Sequence, residues 1–448
     1  MTRAFEPSAP AAAKVVHRDP AWLLYVGLVA CVITLLLGTQ VFGAVSVSGT
    51  TAGYYLGYVM GGLFRRSAIY LSVPIFLAAC FHAYVRPQDR PAFAWRRLLP
   101  CLLFMLYALM QLLHADPEWA APSFGRLLLT AEIALLALPL CYRKGINTYW
   151  IGMAAAGLLF FAALLFSGQL LSILRGNGLM GVTGAPEGRL NLNSDTITSA
   201  SVLFQTTLAG VFLLLAHPRR KVLWLVGIPM FVCLIGIALL TGSKGPLLAF
   251  GVALSTIFLR KGLKSALVGL VVVAIVVAVM WNARGVLDQY SGAASHLQIS
   301  FQQDSRDSFF RSVIDSKPTL FGNGVGSWSV NHGFGVGAYV HNSLLEVYYE
   351  MGLVGAVLFL WALGTVLVYL LRVVRTRGDP IAGFVLAYLV YGMVFSMVSG
   401  SIFGDIELLL GLVLGCTQFH KLAQPRAGIG TMLSNSRHVL PPWIEGKG

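Results

Sequence analysis

Twelve apolar stretches divide this chain, and the basic residues in the gaps between them fall overwhelmingly on alternate sides. The stretches lie at 22–41, 68–85, 98–114, 124–142, 148–171, 197–216, 222–241, 245–260, 265–282, 341–371, 380–399 and 404–421. Each is close to the ~20 apolar residues a helix needs to cross a hydrocarbon core. The pattern predicts an all-α polytopic membrane protein of about 12 spans.

With the N-terminus inside, the inner gaps hold Arg3, Lys14 and Arg18; Arg86, Arg90, Arg96 and Arg97; Arg143 and Lys144; Arg219, Arg220 and Lys221; Arg260, Lys261 and Lys264; and Arg372, Arg375 and Arg377. Lys421, Arg426, Arg437 and Lys447 complete the set, so 22 of the 32 lysines and arginines face one way. Short loops rich in Lys and Arg resist translocation, which places both termini in the cytoplasm. The pI of 9.7 then reflects topology and not nucleic-acid binding. Composition agrees: 57% of residues are hydrophobic and 11% charged, against roughly 25% charged in a soluble domain.

Residues 1–21 form a polar tail with Pro7 and Pro10 and without the apolar core of a signal peptide. Residues 22–421 form one membrane domain and 422–448 a second cytoplasmic tail. Cys31, Cys80, Cys101, Cys141, Cys233 and Cys416 all fall inside spans, where a thiol acts as a small apolar side chain. Residues 51–64 are short and rich in Gly and Tyr; they read as an interfacial or re-entrant segment on the outer face.

Two outer loops stand out. The first, about 172–196, is rich in Gly, Asn and Pro and carries Arg175, Arg189 and Asp195. The second, about 283–340 between the ninth and tenth spans, exceeds any ordinary connector, and loops of that size are functional or disordered. Its residues 304–317 set Phe309, Phe310, Val313 and Ile314 at helical spacing, with Arg306 and Arg311 among them and Pro318 as the stop. That spacing predicts a short amphipathic helix able to lie on a membrane surface. Gly322, Gly324 and Gly326 follow without the preceding strand or the Lys-Ser/Thr pair of a phosphate loop, so a tight turn re-entering the bundle is the better account.

The strongest local signal is the string from His341 through Asn342, Ser343, Glu346 and Glu350 to Gly352, where the chain re-enters the membrane. Ser343 and Glu346 have capping-box spacing, which starts a helix near Ser343 with His341 just before its first turn. A helix N-terminus there favours neutral imidazole, the form a base needs. Intramembrane carboxylates are costly and functional by default. Glu350 lies nearly opposite His341 on the helix, so it braces another element instead of orienting the imidazole. Lys244, beside Ser243 at an outer helix junction, reads alone as a snorkelling lysine. In the company of Arg189, Arg306 and Arg311 it becomes part of a set of outer cations of the kind a diphosphate needs without a metal. Asp304 and Asp307 read as solvated charge, since Arg306 lies between them.

The His341-Asn342-x-x-Leu345-x-x-x-x-Glu350-x-Gly352 string, preceded by Arg306-x-x-x-Phe310 and by Pro318 with Gly322 and Gly324, resembles the O-antigen ligase and polysaccharide polymerase superfamily of bacterial envelopes. Ser243-Lys244 is similar to that family's Ser-Arg pair. The likeness covers about 190–420. It implies a metal-independent glycosyltransferase with a GT-C-like bundle and a large periplasmic loop, needing no cofactor. The donor would be an undecaprenyl-diphosphate-linked glycan, and the acceptor the lipid A core or a second lipid-linked glycan. The enzyme would sit in the bacterial inner membrane with its active site facing the periplasm. His341 would act as the base or orient the acceptor, Arg189, Lys244, Arg306 and Arg311 would hold the diphosphate, and Asn342, Ser243, Glu346 and Glu350 would support them. Lys at 244 loses bidentate phosphate contact, and the loop aromatic at 310 is Phe where Trp is common. The alternative is a flippase for the same lipid-linked glycan, which would line a path through the bundle and show internal repeats; no repeat of fixed period is evident.

Overall fold

The computed structural model describes residues 95–115, 196–216, 243–258, 305–316, 319–333, 339–398, 401–402 and 406–417, with single residues in 225–238 and at 271. The spans expected at 22–41, 68–85, 124–142 and 148–171, most of 265–282, the 51–64 segment, both tails and Arg189 lie outside the described residues. Those described are helical, without a strand. The helices are α1 (Trp95–Leu113), α2 (Thr196–Ala216), α3 (Lys244–Phe258), α4 (Ser305–Asp315), α5 (Ser327–Asn331), α6 (Ser343–Glu350), α7 (Gly352–Arg377), α8 (Pro380–Val398) and α9 (Ile406–Thr417). Two of them, α7 and α8, are long and apolar enough to cross a bilayer.

Helix α8 is the hub. One apolar cluster joins α1, α6, α7, α8 and α9 around Phe104, Phe359, Val366 and Leu386. A second joins α2 and α3 to α8 around Phe204, Phe250 and Tyr391. Small residues bring backbones together where α8 meets α9: a Cβ at Gly392 would stand 2.8 Å from the Leu408 amide nitrogen, and one at Gly411 2.9 Å from the Leu389 Cα. Across α1 and α9 the Sγ atoms of Cys101 and Cys416 lie 3.3 Å apart, both as free thiols.

The tenth apolar stretch is not one helix. It breaks at Met351–Gly352 into α6 and α7, and α7 continues to Arg377. Gly352 has φ 70, the left-handed conformation that ends helices and that glycine adopts without a Cβ penalty. The break leaves backbone groups open at two helix ends, and the glycine loop fills both. Leu353 and Val354 N–H donate to the carbonyls of Thr319 (3.2 Å) and Leu320 (3.1 Å), while Asn323 and Gly324 N–H donate to those of Tyr349 (3.3 Å) and Glu350 (2.9 Å). Gly322, with φ 90, lies so close that a Cβ there would stand 2.5 Å from the Met351 carbonyl carbon and 2.6 Å from that of Glu350. From the other side, Tyr107 Oη donates to the Phe321 and Met351 carbonyls at 2.8 and 3.0 Å, and Gln111 Nε2 to Phe321 at 2.6 Å. The re-entering turn is therefore the splice that makes the helix break tolerable.

The amphipathic segment 304–317 forms α4, but most of its apolar face meets protein and not a membrane surface. Val313 is fully buried with Trp328, Val340 and Tyr349, and Phe309 and Phe310 pack against that cluster. Ile314, 67% exposed, points away.

Candidate functional site around His341

His341 is the one described non-glycine residue with positive φ, at 61°. The left-handed region is uncommon for side-chain-bearing residues, though His is among those enriched there. Its half-buried ring is held between two aromatics. The Phe309 ring stacks at 6.2 Å between centroids and 17° between planes, and the Tyr339 ring lies 4.3 Å away at 56°. Nδ1 is buried.

The residues after His341 are fastened to three other parts of the molecule. Asn342, and not Ser343, is the N-cap: its Oδ1 accepts from Leu344 and Leu345 N–H, each at 3.1 Å. Its Nδ2 donates to the Met397 carbonyl at 3.0 Å, and Ser343 Oγ donates to that of Ser396 at 3.2 Å. Both carbonyls belong to the last turn of α8, where helix geometry leaves them without an intrahelical donor. The capping-box expectation thus fails by one residue, because Ser343 is drawn to α8. It also means that Asn342 takes up two of the amides that would otherwise attract an anion beside His341.

Glu346 and Glu350 are each 4% exposed. Glu346 accepts from Ser401 Oγ at 2.6 Å and from Ile402 N–H at 3.0 Å, tying α6 to the α8–α9 connection. The Glu350 carboxylate accepts from the N–H groups of Gly326 and Trp328, the start of α5. Trp328 Nε1 in turn donates to Ser312 Oγ of α4 at 3.2 Å. So α4, α5 and α6 form one polar-stitched unit with His341 at its edge.

The cations fall into distinct positions. Arg306 is the second residue of α4, at a register position about 60° around the helix from Phe309. Arg311 is exposed and sits about 200° around the helix from Phe309. The phase of α4 therefore separates the two, which the charge pattern groups together. Lys244 begins α3 and is exposed, while Ser243 before it is 5% exposed.

No family model, curated protein or solved structure matches this chain. The site's own chemistry carries its reading.

Sequence reasoning passed over a second polar group inside the bundle. Gln205 Nε2 donates to Glu407 Oε1 and to Ser201 Oγ, both at 2.9 Å, and Gln205 Oε1 accepts from Tyr388 Oη at 3.2 Å. Tyr391 Oη donates to Ser201 Oγ at 3.0 Å. The signal was present: Glu407 is a carboxylate within an apolar stretch, and such a group needs a named partner. Gln205, four residues after Ser201 on α2, supplies it. Among the described residues no group of three or more His, Cys, Asp or Glu side chains converges as a metal cage.

Proposed function

We propose that this protein is an integral-membrane glycosyltransferase of the O-antigen ligase and polysaccharide polymerase type. It transfers glycan from an undecaprenyl-diphosphate donor to an acceptor hydroxyl at the periplasmic face of a bacterial inner membrane. The observation that carries the reading is the setting of His341: an imidazole in a left-handed residue, directly before a helix whose first residues are pinned to α8 and to the α8–α9 connection. Such a residue is held at a set orientation, as a proton acceptor must be. The twelve-span GT-C-like bundle, with both termini cytoplasmic, is the architecture that goes with it.

In this reading the acceptor hydroxyl oxygen attacks the anomeric carbon in line with the leaving diphosphate. The carbon–oxygen bond to the phosphate breaks, and undecaprenyl diphosphate departs with the bonding pair. The hydroxyl proton passes to His341; with Nδ1 buried, Nε2 is the nitrogen assigned to take it. Arg189, Lys244 and Arg306 counter the diphosphate charge, and one displacement inverts the anomeric centre. Arg311 belongs to this set less well than its neighbours, given its place on the far side of α4.

A deletion strain tests the reading. Loss of glycan chain length with single repeats still attached to lipid A identifies a polymerase. Loss of all attachment, with polymer accumulating on the lipid carrier, identifies a ligase. Wild-type surface glycan in the deletion strain would overturn the proposal, and accumulation of unflipped donor on the inner leaflet would replace it with the flippase.

A further inference from the structure

Helix α7 carries a feature the His341 site does not use. Leu360, Trp361, Gly364, Thr365, Val368 and Arg372 line a groove of about 480 Å³. Their spacing sets them on one side of the helix, and Arg375, a turn beyond Arg372, extends that side. Leu360, Trp361 and Val368 are each about half exposed. Gly364 makes the notch: a Cβ there would meet nothing within 4 Å, so the space above it is open. Arg372 and Arg375 are exposed at one end of the strip, and α7 contains no carboxylate along its length.

We propose that this groove binds one anionic glycerophospholipid of the bilayer, with an acyl chain along Leu360, Gly364 and Val368 and the phosphate between Arg372 and Arg375. The apolar part and the paired cations are in the order a lipid presents: from Gly364 to Arg372 is roughly 12 Å of helix, down which a chain can lie below its headgroup. Arginine at a membrane surface favours anionic over zwitterionic headgroups by about five-fold per side chain. The inference rests on α7 crossing a membrane and not on glycan transfer.

Trp361 in the groove supplies the readout, because brominated acyl chains quench tryptophan on contact. The full-length protein is reconstituted in phosphatidylcholine vesicles carrying a minor fraction of dibrominated phosphatidylglycerol, or the same fraction of dibrominated phosphatidylcholine. Trp361→Phe isolates the contribution of that ring. The Trp361 component is expected to be quenched by brominated phosphatidylglycerol well beyond its mole fraction. Arg372→Gln lowers the preference about five-fold, and the double variant Arg372→Gln/Arg375→Gln removes it. Gly364→Leu, which extends a side chain into the open space above the helix at that position, lowers quenching by both lipids. Equal quenching by the two lipids overturns the proposal, and quenching by neither shows that another segment of the chain covers the groove. Release of the protein from membranes by alkaline carbonate would instead overturn the membrane reading beneath it.

Discussion

Helices α7 and α8 meet their neighbours through Phe359, Val366, Leu386 and Tyr391, all fully buried, whereas the crossing of residues 319–324 with 349–354 is held by hydrogen bonds to open helix ends and by two glycines whose backbones touch. Apolar contact is tolerant of small changes in shape; volume-conserving substitutions in such a core cost little. A backbone crossing is not. Around His341 each polar contact has one geometry, and each fixes part of the path that brings the imidazole to its place. The first kind of packing makes a bundle, and the second makes a position within it.

The sharpest way to break this contrast is to place the same kind of change in both regions. Gly322→Val adds a β-branched side chain at φ 90 against the backbone of Glu350 and Met351. It is expected to cost at least ~3 kcal/mol and to abolish transfer, read by thermal unfolding in detergent and by glycan assay. Gly364→Ala in α7 meets no protein atom within 4 Å and is expected to be neutral or stabilising by up to ~1 kcal/mol. Equal losses from the two would dissolve the comparison.

Next comes Glu346→Ala, which leaves Ser401 Oγ and the Ile402 N–H buried without their acceptor. An expected loss of about 2–3 kcal/mol follows from two stranded donors. Glu346→Gln keeps one acceptor oxygen and is expected to recover about half. In both variants transfer should fall by more than the unfolding free energy explains, because the contact orients the helix that follows His341.

Within α4 the helical phase separates two arginines. Arg306→Ala is expected to weaken donor binding about tenfold, the scale of one charge-assisted contact of ~1.4 kcal/mol. Arg311→Ala, on the opposite side, is expected to leave donor binding within about twofold. Titration of each variant with the lipid-linked donor decides between them. A smaller loss of stability than from Gly322→Val or Glu346→Ala belongs to Asn342→Ala, about 1 kcal/mol for a lost N-cap by thermal unfolding, with Asn342→Asp expected to retain the cap while losing the donor to Met397.

Helix positions were legible wherever apolar length and flanking charge agree: α1, α2, α3, α8 and α9 each fall within a few residues of the expected stretch. The break at Gly352 was not, because apolar residues continue on both sides of it and the loop that heals it comes from about thirty residues earlier. Nothing local in the string marks that pairing. Asn342 as cap was hidden by the Ser343–Glu346 spacing; the two side chains that match the motif are drawn away by α8 and by Ser401, partners distant in sequence. The difference between Arg306 and Arg311 was present in the chain, since the phase of Phe309 and Val313 already sets them apart. Charge counting alone treats a residue as belonging to a side of the membrane and discards its direction, which is also why the Gln205–Glu407 pair went unseen.

The central claim is that His341 takes the acceptor proton. It is tested most directly with purified wild-type and His341→Ala protein in liposomes, given lipid-linked donor and acceptor, with donor binding measured in the same preparations. The account predicts unchanged donor affinity and a fall in transfer of about 10²–10⁴-fold. Transfer near the wild-type rate by the alanine variant would contradict it.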